Sequence, residues 1–174
     1  MTDGGANIVA AVKDVVGEKQ HLICADHSLS RMTTVAIEQS PKFEELLTKI
    51  RTIVTYFKRS VNAADTLRAI QTKKGKTEGE ILKLKKDEPT RWGSNFQLLE
   101  RFILLAEDVG TVLLRHDSIR MLSGSELSAA IEGRYLLHPV SYAITELETE
   151  KSSIAGKVIP LLNMMQQVIL TGVQ

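Results

Sequence analysis

Apolar positions along the chain recur at helical spacing in several blocks. Ile8, Val9, Val12, Val15 and Val16 lie three and four residues apart and Gly17 follows as a stop, which predicts a helix of about ten residues. The run HLICA at 21–25 is short, apolar and bounded by charges, and predicts one buried strand. A second helix is expected from 27 to 39, although Thr33, Thr34 and Val35 lower its propensity. Ser40-Pro41 is a start signal: serine can cap, proline suits the first turn, and Glu44-Glu45 complement the helix dipole. The helix that follows carries Leu46, Leu47, Ile50, Ile53, Val54 and Phe57 on one face, and Asn62 reads as the cap of the next, with Leu67 and Ile70. Residues 72–80 have no period and read as an exposed loop, and 81–92 alternate briefly before breaking at Pro89.

The second half continues the helical pattern. A long helix is expected from Ser94 through Phe96, Leu98, Leu99, Phe102, Ile103 and Leu105, with Gly110 as an interruption before 111–114. LSGSELSAAIE supplies a loop and Ser/Glu helix-start chemistry. Pro139 is expected to begin a segment holding Val140, Ala143, Ile144 and Leu147. A last helix is expected over 154–170, with Pro160 in an early turn or at a kink. No internal repeat is present. One strand against six or more helices makes a mainly α-helical chain. A single strand cannot satisfy its backbone alone, so 1–39 read as a helix–strand–helix piece of an α/β sheet whose other strands are missing.

Composition narrows the class. A chain of 174 residues holds one ordinary domain, or a small one with an appendage. Hydrophobic residues at 43% and charged ones at 25% argue against disorder, and aromatics at 5% point to an aliphatic helical core. The single Cys excludes an internal disulfide and suits a reducing compartment. No apolar run reaches the ~20 residues of a bilayer span and no signal-peptide pattern is seen, so an intracellular chain with no membrane role is expected. Net charge is only +1, but 58–91 hold ten Lys/Arg against five Asp/Glu, leaving −4 for the remainder. Such a segment can follow a phosphate backbone or form a solvated loop and helix face.

Three motifs carry candidate chemistry. Asp3 in MTDGGAN precedes a glycine-rich turn and a helix; a carboxylate there can join a two-metal site, or simply shape the turn. Cys24 and His27 stand three residues apart in CADH, but a structural zinc site needs four ligands and no other Cys exists. A Cys–His dyad would lack an orienting partner, so a buried thiol with a hydrogen-bonded His at a helix start is the expectation. Trp92, the only Trp, follows Thr90-Arg91 in DEPTRWGSNFQLLER. It suits a packing anchor at a helix entrance, or a platform on which an unpaired base stacks.

TDGGAN with its apolar helix, CADHSLS, KIRTIVTYFKRS, PTRWGSNFQLLERF and LHPVSYAITELETEKSSIAGKVIPLLNMM, in that order, resemble the hAT superfamily of DDE transposases and its domesticated zinc-finger-BED-type relatives. The resemblance implies a partial RNase H-like catalytic core over 1–39 and an all-α insertion domain over 40–174. In that family three acidic residues hold two divalent metals, Mg²⁺ or Mn²⁺, and the enzyme cuts and joins DNA. Asp3 matches the second acid, as catalytic residue and metal ligand. Cys24 and His27 match a Cys-x-x-His element near the active site, with Asp26 and Ser30 departing from the usual pattern. Arg91 and Trp92 match an Arg-Trp pair on the insertion domain, where the Trp stacks on a flipped base; Lys83, Lys85 and Lys86 would extend that DNA-binding surface.

The first acid of the family lies on an earlier strand, the last on a later helix, and Glu146, Glu148 and Glu150 fall within the insertion. The BED finger and the dimerisation segment are not matched either. The expectation is therefore a fragment of a nuclear, transposase-derived DNA-binding protein, catalytically incomplete and holding no metal by itself, from a parent able to form homo-oligomers. No small-molecule substrate is implied. The competing expectation is a helical protein-interaction scaffold with no nucleic-acid role.

Overall fold

The computed structural model describes residues 5–16, 24–88, 93–115, 119–148 and 155–171. Seven α-helices lie among them: α1 Ala6–Val16, α2 Ala25–Glu38, α3 Pro41–Arg59, α4 Val61–Lys73, α5 Ser94–Leu113, α6 Gly124–Glu148 and α7 Ala155–Thr171, with a 3-10 turn at Glu78–Glu80. The protein is mainly helical, and no strand occurs among the described residues. An RNase H-like α/β segment is therefore not seen. Residues 21–23 of the expected strand lie outside the described residues; Cys24 is extended, and Ala25 already begins α2. A short apolar run does not by itself separate a strand from the approach to a helix.

The chain divides into two compact units, Ser40–Tyr135, and Met1–Gln39 with Leu136–Gln174. In the first, α3, α4 and α5 pack against one another. Leu46, Leu47, Ile50, Ile53, Val54 and Phe57 of α3 are all buried, as the period predicts. They share the core with Ala63 and Leu67 of α4 and with Leu98, Leu99, Phe102, Leu105, Val109 and Val112 of α5. Two further links join α3 to the first half of α6. Lys49 pairs with Glu126 at 2.7 Å, and the Phe43 ring approaches Gly133 so closely that a Cβ there would overlap it. In the second unit, Leu29, Ile37, Val140, Ala143, Ile144, Leu147 and Met165 are buried.

Helix ends follow local chemistry, with three corrections. Ser60, not Asn62, caps α4: its hydroxyl accepts from the Ala63 N–H at 3.2 Å, and Asn62 lies inside the helix. Gly110 does not interrupt α5, whose apolar stripe runs unbroken to Leu113. Pro139 begins nothing, since α6 passes through it; Val140, Ala143, Ile144 and Leu147 continue to bury one face, which offsets the lost backbone bond. Pro160 likewise lies within α7. The Ser/Glu start of α6 is a reciprocal cap, Glu126 accepting from the Ser123 N–H at 2.8 Å while the Ser123 hydroxyl accepts from the Glu126 N–H at 3.3 Å. α4 ends in a Schellman motif: Lys76 N–H reaches Gln71 C=O and Gly75 N–H reaches Thr72 C=O, with Gly75 at φ 87°. Gly93, at φ 73°, takes the same left-handed conformation at the start of α5.

Candidate nucleic-acid interface

The lysines of interest lie on residues 81–88, which belong to no helix and no sheet. Side chains supply what a neighbouring strand would. The buried Gln71 amide meets Leu82 twice: its Nε2 donates to the Leu82 carbonyl and its Oε1 accepts from the Leu82 N–H, both at 2.9 Å. Arg101 of α5 donates to the Lys83 carbonyl at 3.1 Å. Leu84 is buried. These contacts set the register, and Lys83, Lys85 and Lys86 are left exposed. They make no ion pair among the described residues.

The far end of the segment is held by Arg51. Its Nε donates to Asp87 Oδ2 at 2.7 Å, its Nη1 to Glu44 at 3.0 Å and its Nη2 to Asn95 Oδ1 at 3.1 Å. Asp87 is only 6% exposed, so a carboxylate within a lysine-rich run is turned inward and neutralised. Burial works against the Arg51 charge, but the hydrogen bonds and charges of Asp87 and Glu44 together outweigh it and its pKa is raised. The Ser94 hydroxyl donates to the Glu88 carbonyl at 2.9 Å, joining the segment directly to the first turn of α5.

Arg91 and Trp92 lie outside the described residues, as does Asp3. What is fixed are the flanks, Asp87 and Glu88 on one side and Ser94 and Asn95 on the other. Cys24 occupies the N-cap position of α2 without a side-chain cap bond, and His27 sits in the first turn; both are half-buried. The thiol is thus less enclosed than expected. No group of three or more His, Cys, Asp or Glu side chains able to hold a metal occurs among the described residues, so these do not by themselves fit a two-metal centre. No helix is long and apolar enough to cross a membrane, again among the described residues.

Sequence reasoning missed Arg51, Gln71 and Asn95. The signal was a polar residue in the phase of an apolar stripe. Arg51 lies four residues after Leu47 and three before Val54, and Gln71 continues the Ala63–Leu67 spacing.

A three-helix core with a basic segment pinned against it defines a helical domain. The chain belongs to the family described as the ZBED1 RNase-like helical domain, whose model matches residues 22–130. The match takes in Cys24, His27, the three lysines and Arg91-Trp92, but not Asp3. The chain is also similar to the zinc finger BED domain-containing protein 4 of Homo sapiens, at 22% identity over 153 residues. That alignment covers 88% of this chain but 13% of the relative. No solved structure matches.

Proposed function

We propose that this chain is a helical part of a nuclear, transposase-derived BED-type protein, that it binds DNA, and that it is catalytically incomplete by itself. The observation carrying the reading is the 81–88 segment, whose buried contacts leave Lys83, Lys85 and Lys86 facing solvent without acidic partners among the described residues. Arg91 and Trp92 follow directly, and in this reading the indole stacks on an unpaired base while the lysines track phosphates. The reaction of the whole family enzyme is metal-dependent DNA cleavage and strand transfer. Asp3 would supply one ligand for its Mg²⁺ or Mn²⁺, which stabilises the attacking and leaving oxygens. Cys24 and His27 stand near that centre in this reading.

The test is titration of the full chain with fluorescent single-stranded and hairpin DNA over a salt series. Replacing Lys83, Lys85 and Lys86 with Ala should flatten the log–log salt slope by roughly 2–3, at about 0.7–0.9 per lost contact. Trp92→Ala should weaken binding about tenfold or more with the slope nearly unchanged, from ~1–3 kcal/mol of lost stacking. Absence of binding at the lowest salt overturns the reading.

A second reading, a protein-interaction scaffold, is favoured by α7. Ile159 is 68% and Leu170 66% exposed there, and Met165 is its sole buried residue among those described. Stability loss in Trp92→Ala, in a parent chain that binds no DNA, would decide for it.

A further inference from the structure

Three lysines on a segment outside helix and sheet bind more tightly when that segment is ordered before the ligand arrives, because ordering it on binding costs affinity. Gln71 orders its start; its other end converges on one side chain. All three guanidinium nitrogens of Arg51 are engaged, on three pieces of chain: Glu44 of its own helix, Asp87 at the end of the segment, and Asn95 in the first turn of α5. Asp87 and Asn95 stand on opposite sides of residues 89–92. Only the planar, multi-donor fork of arginine can hold such partners together; a lysine in its place keeps the charge and loses the span.

We infer that Arg51 is a positioning residue for nucleic-acid binding, fixing the basic edge against the start of α5 without itself meeting the ligand. This rests on the DNA reading above. Two charge-conserving variants isolate it. Arg51→Lys preserves net charge and a cation beside Asp87. Asn95→Ala removes one neutral contact and leaves the Arg51–Asp87 pair in place.

The full chain and its variants are titrated with a fluorescent hairpin DNA across salt, with thermal unfolding measured on each. Arg51→Lys should lose at least fivefold in affinity and Asn95→Ala about threefold, both with the salt slope of the parent, since the exposed lysines remain. Val140→Ala, which leaves a cavity among the buried residues of the second unit, serves as the control and should bind within about twofold of the parent. If Arg51→Lys does not fold, Asn95→Ala decides alone.

Parent-like affinity in Asn95→Ala and in any folded Arg51→Lys overturns the assignment. So does a slope flattened by about 0.7–0.9, the share of a single contact, which would make Arg51 a phosphate contact. An equal loss in Val140→Ala also overturns it, since general stability would then explain the effect. A parent chain that binds nothing removes the DNA reading, and this inference with it; a binding parent with unaltered variants removes the inference alone.

Discussion

Gln71→Leu should destabilise the protein although it replaces a buried amide with a hydrocarbon of similar size. Gln71 is fully buried on α4, and its carboxamide is the partner of both backbone groups of Leu82. Leucine would remove the cost of burying an amide and add apolar contact, which taken alone is favourable by about 1–2 kcal/mol. It would also strand one N–H and one C=O at about 1–3 kcal/mol each, and a backbone group cannot be mutated away in compensation. Leu82 is half-buried, so water can meet part of that demand and the upper end of the range does not apply. The balance is a loss of about 2–3 kcal/mol, a large share of the 5–15 kcal/mol typical of a domain.

Urea unfolding of the full chain should show a lower midpoint at unchanged slope. Hydrogen exchange should show the Leu82 amide losing protection. Gln71→Glu separates polarity from geometry, because a protonated carboxyl offers one donor and one acceptor where a carboxylate only accepts. Burial raises that carboxyl's pKa in the folded state, so the variant's stability should be better at acid pH and fall as pH rises through the folded value. A Gln71→Leu protein as stable as the parent, with Leu82 still protected, would refute the assignment of the amide as a surrogate strand partner.

Glu126 gives a pH prediction: the Lys49 hydrogen bond, aided by the Ser123 N–H and hydroxyl, holds its carboxyl down at about 2, so its contribution is complete above about 4.5 and is lost as pH falls toward 2. Glu126→Gln should flatten the stability profile in that window, and an unchanged acid limb would count against the pair. Gly133→Ala should lower stability by about 1–2 kcal/mol despite better helix propensity, since overpacking against Phe43 outweighs the ~1 kcal/mol gain; calorimetry showing stabilisation would contradict this. The full chain should cleave no duplex DNA with Mg²⁺ or Mn²⁺, and metal-dependent nicking that disappears in Asp3→Ala would sink the claim of catalytic incompleteness.

The mainly helical character was legible because long apolar stripes are strong signals. Every α3 residue assigned to the core is buried. The pattern is silent about what covers a stripe. α1 has the same spacing, yet Ile8 is 50% and Val15 84% exposed. Caps were legible where both partners lie within one turn, as at Ser123 and Glu126, and misplaced by two residues where Ser60 competed with Asn62. Of the candidate interface, the lysines could be read from charge alone. Their supports could not, because Gln71, Arg51 and Asn95 act across 11, 36 and 44 residues of sequence, and local periodicity does not encode such pairings.

Those supports change what the charge count means. The surplus of basic residues over 58–91 suggested a broad phosphate-binding stripe, but several of its charges are used internally. Lys74 pairs with Glu107 and with the buried Asp108, and Arg68 with Glu78. Asp87 is withdrawn by Arg51, so the lysines beside it are not cancelled by their nearest acid in sequence. The charge left for a ligand is therefore smaller than the composition implies and more sharply placed. If the chain binds DNA as proposed, three lysines at about 0.7–0.9 per contact would give a salt slope near 2–3, not the steeper value that all ten basic residues would give. A steeper slope would have to draw on further basic residues such as Lys58, Arg59 and Lys73, which also make no ion pair among the described residues. Adding their replacements to the lysine triple variant separates a narrow edge from a wide face by the slope that remains.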